Sequence, residues 1–65
     1  MLRIYIEKME RERERLGLSM TELEKRAKLK RSLYSKIITR GSTTLKTLTK
    51  IADALYMDAK DLLTN

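Results

Sequence analysis

Four polar side chains between residues 31 and 36 carry hydrogen-bonding chemistry that could recognise a base: Arg31, Ser32, Ser35 and Lys36. Arginine and lysine can donate to guanine O6 and N7, and serine can donate or accept at a base edge. On a helix that begins near Arg31, all four lie away from the apolar side. Such a face could contact DNA, or it could be the solvated face of an ordinary amphipathic helix, and periodicity alone does not separate these alternatives.

The side chains that most often perform covalent or metal chemistry are absent, because the sequence contains no His and no Cys. Their absence removes the usual nucleophile–base pairs and most transition-metal sites. In the segment 10–15, ERERER, the carboxylates alternate with arginines, which is typical of a solvated helix flank linked by ion pairs. No glycine-rich phosphate loop occurs. We therefore expect no enzyme, no cofactor and no metal.

The charge of the chain is compatible with a polyanionic partner. The formal net charge is +6 and the isoelectric point is near 9.9. Excess cations on a small domain suggest nucleic acid, but a charge of this size also occurs on ordinary solubilising surfaces. The 65 residues are expected to form a single domain, 1–65. Without a secretory signal or an apolar run of roughly 20 residues, the expected location is cytoplasmic.

The polar side chains would be positioned by two short helices joined by a tight turn. Ser19 followed by Glu22 is a capping box, in which each side chain bonds the other residue's backbone amide. The first helix of the pair therefore begins at about Met20. Apolar residues three and four apart mark one face of this helix: Met20, Leu23 and Ala27.

The second helix of the pair is expected to begin near Arg31, after a break before Leu29. Its apolar back consists of Tyr34, Ile37 and Ile38. Gly41 ends this helix in the left-handed conformation. On the preceding helix, Glu24 and Lys28 are spaced to form a favourable ion pair.

Three further helices are expected around this pair, giving an all-α fold of five helices. The first covers residues 3–16 and ends at Gly17, with an apolar stripe of Tyr5, Ile6, Met9 and Leu16. The fourth is capped by Thr44, and its core face consists of Leu45, Leu48, Ile51, Ala52 and Leu55. Asp58 caps a fifth short helix. No alternating pattern long enough for a strand is present.

Two further sets of residues are candidates for binding. A helix N-terminus offers free amides and a positive dipole to a phosphate, so the start of the fourth helix is a candidate backbone clamp. The expected phosphate ligands of this clamp are Thr43, Thr44, Lys46 and Thr47, and Arg40 is a further candidate cation. The alternative is that the threonines cap the helix and the lysine is solvated. A dimer interface is expected at Tyr56, Met57 and Leu63, which could equally belong to the core.

The segment LSMTELEKRAKLKRSLYSKI resembles the helix-turn-helix of the lambda-repressor-like family, which includes phage repressors, Cro and plasmid or restriction-modification regulators. The likeness continues through TLKTLTKIADAL and DAKDLL, so it covers roughly residues 4–63. The resemblance implies a recognition helix and dimers that bind two half-sites about one DNA turn apart. By position it implies base contacts at Arg31, Ser32 and Lys36. It implies phosphate contacts near Met20, Lys30 and the start of the fourth helix.

The chain departs from the family pattern at several positions. The family often has a phosphate-binding glutamine where Met20 stands and a small residue where Glu24 stands. It usually has glycine where Lys28 and Tyr56 stand. A lysine held in the left-handed conformation costs on the order of 1 kcal/mol.

These patterns predict a sequence-specific transcriptional regulator that binds double-stranded DNA, as a homodimer on a palindromic operator. It would repress by occupying a promoter or activate by contacting polymerase, and no small-molecule effector is evident. The alternative is an antitoxin-like or other protein-interaction module that keeps the fold. A membrane-binding amphipathic helix fits poorly, because Glu10, Glu12 and Glu14 stand among the arginines.

Overall fold

Four α-helices surround a single apolar core in the computed structural model, which describes residues 1–64. Along the chain the elements are β1 (Leu2–Arg3), α1 (Ile6–Arg15), α2 (Met20–Ala27), α3 (Leu33–Arg40), β2 (Ser42–Thr43), α4 (Leu45–Ala54) and a 3₁₀ helix (Ala59–Leu62). Within residues 1–64, no helix is long and apolar enough to cross a membrane.

The expected all-α fold of five helices is correct only in its helical majority. The predicted fifth helix is one turn of 3₁₀ helix, and the Asp58 side chain makes no capping hydrogen bond to it. The chain also contains a small antiparallel ribbon, in which β1 pairs with β2 and Leu2 stands opposite Thr43. Two-residue strands are too short to show the alternation by which a strand is recognised in a sequence.

The N-terminal segment is extended, so α1 begins at Ile6 rather than at residue 3. The Ile4 amide donates to the Gly41 carbonyl at 3.0 Å, and the Tyr5 amide donates to the Leu62 carbonyl at 2.7 Å. A bridge joins Ile4 to Leu63. The first five residues therefore tie the end of α3 to the end of the chain.

The core is built from all four helices and the ends of the chain. Its buried members are Ile4, Met9, Leu18, Leu23, Tyr34, Ile37, Leu48, Ile51, Ala52, Leu55 and Leu62. Three residues expected on apolar faces are instead exposed: Tyr5, Met20 and Leu45. Met20 and Leu45 open their helices and Tyr5 precedes α1, so all three lie at helix ends beyond the packed turns.

The predicted glycine ending of α1 is confirmed. Gly17 has φ of 70°, its amide donates to the Glu14 carbonyl at 2.9 Å, and the Leu18 amide donates to the Arg13 carbonyl at 3.1 Å. This pair of bonds is a Schellman motif. Leu18 is buried beside it and closes this end of the helix on the core.

Candidate nucleic-acid interface

The first helix of the motif, α2, is held at its N-terminus by the predicted capping box. The Glu22 amide donates to Ser19 Oγ at 3.0 Å, and the Ser19 amide donates to Glu22 Oε1 at 2.9 Å. The hydrogen bond from the Ser19 backbone lowers the pKa of the Glu22 carboxyl. The apolar face of the same helix is held in the core, where Leu23 and Ala27 are buried.

The turn after α2 uses a lysine where the left-handed conformation favours glycine. Lys28 has φ of 57° and ψ of 43°. Its amide donates to the Lys25 carbonyl at 3.2 Å, and the Leu29 amide donates to the Glu24 carbonyl at 2.8 Å. The turn thus has the same bond pattern as the glycine ending of α1, and it sends the chain toward α3.

The second helix of the pair, α3, begins at Leu33, two residues later than the sequence indicates. Arg31 and Ser32 lie in the preceding turn, and Ser32 is left-handed with φ of 66°. The Ser32 side chain makes no capping bond. The Tyr34 amide instead donates to Glu24 Oε2 at 2.9 Å. A carboxylate from the neighbouring helix therefore does what a local cap would have done, and it fixes where α3 starts.

Glu24 is a functional candidate that the sequence pattern did not reveal. Glu24 is only 6% exposed. Within the described chain it forms no ion pair with Lys28, so the predicted Glu24–Lys28 pair is wrong. A signal was present, because Glu24 adjoins Leu23 and stands three residues before Ala27, beside the apolar stripe of α2. A charged residue at such a position needs a buried hydrogen-bonding partner.

The outward face of α3 is polar and cationic. Tyr34 and Ile37 are buried, whereas a shallow depression on the exposed side is lined by Ser35, Lys36, Thr39 and Arg40. Ser35 Oγ donates to the Ser32 carbonyl at 3.0 Å, and Thr39 Oγ1 donates to the Ser35 carbonyl at 3.1 Å. Because these hydroxyl protons are engaged, both hydroxyls present acceptor lone pairs outward.

The predicted base contacts fall on two adjoining surfaces. Ser35 and Lys36 share the α3 depression with Arg40, which was expected to bind phosphate. Arg31 is exposed and lines a separate shallow pocket beside Thr21 and Lys25 of α2. Ser32 and Lys30 are exposed in the turn between these surfaces. A groove contact by all of them would involve the turn as well as the helix.

The N-terminus of α4 is capped as predicted. Thr44 Oγ1 accepts from the Thr47 amide at 3.3 Å and donates to Thr47 Oγ1 at 3.1 Å. Lys46 is exposed in the first turn, which contains no acidic residue. Thr43 is only 4% exposed within β2, so its side chain is withheld from any phosphate.

The charge along the middle of the chain has one sign. Residues 25–52 contain no Asp or Glu, and nine cations fall in this range: Lys25, Arg26, Lys28, Lys30, Arg31, Lys36, Arg40, Lys46 and Lys50. This range includes the turn, α3 and the start of α4. All three aspartates follow it, at Asp53, Asp58 and Asp61.

A partly buried polar cluster lies between α1 and α3. Arg13 donates to Glu10 and, at 2.6 Å, to the Leu18 carbonyl, and the hydrogen bond with Glu10 raises the pKa of Arg13. Burial raises the pKa of the Tyr34 phenol, with the Glu10 charge adding to the effect. Tyr34 Oη and Glu10 Oε1 are buried, and neither has a hydrogen bond to a described residue.

The expected dimer residues do not form one surface. Tyr56 is 75% exposed and adopts φ of 59° where α4 ends. It shares a shallow depression with Met57, lined also by Lys8, Glu12, Asp53, Asp58 and Asp61. Leu63 is partly buried and pairs instead with Ile4.

Comparison with protein families agrees with this geometry. A family model described as helix-turn-helix matches residues 9–57, which include α2, the turn, α3 and all of α4. No curated protein and no solved structure matches the chain significantly. The resemblance seen in the sequence is confirmed by the family match, which covers more than half of the chain. The chain belongs to the lambda-repressor-like helix-turn-helix family of DNA-binding regulators.

Proposed function

We propose that this protein is a sequence-specific transcriptional regulator that inserts α3 into the major groove of double-stranded DNA. The observation that carries the proposal is the exposed face of α3, where Ser35, Lys36 and Arg40 lie together above a buried apolar back. A major groove about 12 Å wide admits one α-helix, and lysine, arginine and hydroxyl groups distinguish its base edges.

Phosphate contacts are assigned to the cations and helix terminus around α3. Lys30 and Arg40 flank the helix, and Lys46 lies in the first turn of α4, which contains no acidic residue. Together with Thr44 and Thr47, these groups would set the register of the protein on the duplex. The bases would then be discriminated by Arg31, Ser32, Ser35 and Lys36.

Palindromic recognition would require two copies of the chain. The Cα atoms span 27 × 21 × 18 Å, whereas half-sites in this mode of binding lie about 34 Å apart. One chain has a single α3 and is shorter than this spacing, so it can contact only one half-site. A homodimer would place the same contacts on both half-sites, and the exposed Tyr56 is our candidate for its interface.

A protein-interaction module is the second candidate, and two exposed apolar side chains favour it. Met20, at 39% exposure, opens α2 where the family often has a phosphate-binding glutamine, and Tyr56 is 75% exposed. Neither side chain can neutralise a phosphate, whereas either could pack against a protein partner.

Titration of a labelled random duplex at low and moderate salt separates the two functions. A DNA-binding regulator should lose affinity steeply as salt rises, because each neutralised phosphate releases counterions. A pure protein-interaction module should bind duplex weakly at both salt concentrations. Selection of bound sites from a random DNA pool then tests specificity, and a two-fold repeat in the selected sites would support the homodimer.

A further inference from the structure

The N-terminus of α3 is held by a residue of α2. The Tyr34 amide donates to Glu24 Oε2 across ten residues of sequence, at 2.9 Å. The preceding amide, of Leu33, donates to the Lys30 carbonyl at 3.1 Å. The first two amides of α3 are thus both engaged within the protein, one by the turn and one by Glu24.

In this arrangement the Ser32 side chain does not cap α3. Ser32 stands at the N-cap position, where serine ordinarily bonds an amide two or three residues on. Its left-handed φ of 66° is not the extended conformation that capping uses, and its side chain makes no such bond. Its carbonyl accepts from Ser35 Oγ at 3.0 Å. The Ser32 hydroxyl is therefore available for an outside partner because Glu24 supplies the cap.

The same carboxylate also makes the two helix N-termini unequal as sites for a phosphate. A helix N-terminus attracts anions, but Glu24 already places a negative group at that end of α3. The first turn of α4 contains no acid and carries Lys46. A phosphate bound by helix amides is therefore favoured at the start of α4 over the start of α3.

We propose that Glu24 is a positioning residue for base discrimination, which it achieves by fixing the start of α3 and the Arg31–Ser32 turn from the neighbouring helix. This inference rests on the proposed DNA-binding function. Without the Glu24 bond, the first turn of α3 frays and the Arg31–Ser32 turn loses its fixed position. Contacts to individual bases then weaken more than contacts to the phosphate backbone, because base contacts depend on geometry and phosphate contacts chiefly on charge.

The test compares three variants for their preference between two duplexes. Glu24→Ala removes the acceptor, and Glu24→Gln keeps an acceptor oxygen but removes the charge. Glu14→Gln is the matched control, because it makes the same change of charge at an exposed position on α1 that has no ion pair in the described chain. The duplexes are one selected by the wild-type chain from a random pool and one random sequence of equal length.

We expect Glu24→Ala to lower the ratio of selected to random affinity roughly tenfold, the scale of a lost helix cap. Glu24→Gln and Glu14→Gln should stay within about twofold of the wild-type ratio, because each leaves α3 capped. Affinity for the random duplex should not fall in any variant, since each removes a negative charge.

Amide hydrogen exchange of the free protein provides a readout that does not involve DNA. The Tyr34 amide should exchange roughly tenfold faster in Glu24→Ala, measured against the Ile37 amide of the same helix. Glu24→Gln should restore the protection. If Glu24→Ala does not fold, Glu24→Asp is used instead. The aspartate side chain is one methylene shorter, so its carboxylate no longer reaches the Tyr34 amide.

Two outcomes would overturn the inference while leaving the proposed function intact. In one, Glu24→Ala keeps the wild-type ratio. In the other, Glu24→Gln loses as much discrimination as Glu24→Ala, which would assign the effect to charge rather than to position. If the wild-type chain shows no preference among duplexes, the proposed sequence-specific function is wrong, and so is the role of Glu24 in base discrimination. Tyr34 exchange would still decide whether Glu24 caps α3.

Discussion

Arg31 lies in the turn before α3 rather than on the helix, and this affects how its guanidinium would approach a base. It is exposed, it has no ion pair in the described chain, and the pocket beside it is shallow. A guanidinium that is not already engaged can place two parallel N–H groups on guanine O6 and N7. The position of the turn, rather than the helix face alone, would determine which base it contacts.

Arg31→Ala should therefore weaken binding to a selected duplex by about 1–3 kcal/mol and relax the preference at one base position. Equilibrium binding to the selected duplex and to single-base variants of it measures both effects. Arg11→Ala is the control, because it removes an exposed arginine from α1. Equal losses on selected and random duplexes would show that Arg31 does not discriminate bases.

Lys46→Ala should weaken every duplex to a similar extent, because Lys46 is assigned to a phosphate at the start of α4. The slope of log affinity against log salt should become shallower by about one. Lys60→Ala changes the charge equally at the 3₁₀ helix and should leave the slope unchanged. If the loss of affinity in Lys46→Ala depended on the duplex sequence, Lys46 would contact bases rather than the phosphate backbone.

The C-terminal ends of α2 and α4 are strained, because a residue with a Cβ atom adopts the left-handed conformation there. The C-terminal ends of α1 and α3 use glycine at this position. Gly17 and Gly41 adopt positive φ at no steric cost, whereas Lys28 and Tyr56 adopt φ of 57° and 59° with a Cβ atom present. The turn inside the helix-turn-helix is thus one of the strained points. Its stability depends on the Schellman bonds at Lys28 and Leu29.

Lys28→Gly should raise the free energy of unfolding by about 0.5–1 kcal/mol, because the relief of left-handed strain exceeds the entropy that glycine adds to the unfolded chain. Urea unfolding followed by circular dichroism measures the change. Lys25→Gly, inside α2, should lower stability by about 1 kcal/mol. A destabilised Lys28→Gly would contradict the strain assigned to this turn.

Features set by neighbouring residues were predictable from the sequence. The Ser19–Glu22 capping box, the Gly17 ending and the Thr44 cap each involve groups within five residues of one another. The apolar spacing of α4 likewise placed Leu48 and Ile51 in the core. Such patterns are local, so a single sequence contains them in full.

What the sequence did not reveal depends on contacts between distant residues or on short elements. The start of α3 is set by Glu24, ten residues before Tyr34, so the first turn was placed two residues too early. The ribbon pairs Leu2 with Thr43, and strands of two residues have no visible period. For the candidate site, the polar residue types and their exposure could be predicted. The sequence did not show that Arg31 and Ser32 lie in the turn whereas Ser35 and Lys36 lie on α3.

Across the whole molecule, charge separates along α4. Lys46 stands at its start, whereas Asp53, Asp58 and Asp61 gather where it ends, around Tyr56. A ten-residue helix is about 15 Å long, so the proposed phosphate contacts and the proposed dimer surface lie at different ends of one element. Two copies could therefore meet near Tyr56 without covering the start of α4.

Tyr56→Ala should shift the chain toward monomer, because it removes the largest exposed apolar side chain of the proposed interface. Sedimentation equilibrium measures the shift. Alanine is chosen rather than glycine, which would also relieve the strain at φ of 59°. Tyr5→Ala, which removes another exposed tyrosine, should have no effect on association. An unchanged dimer in Tyr56→Ala would place the interface elsewhere.

Mapping of ¹⁵N-labelled amide shifts during titration with a selected duplex tests directly whether the polar face of α3 contacts DNA. We expect the largest changes between Lys30 and Arg40 and between Thr44 and Thr47, with little change from Asp58 to Leu62. Changes centred on Tyr56 and Asp58, with α3 unperturbed, would contradict the claim that the polar face of α3 contacts DNA.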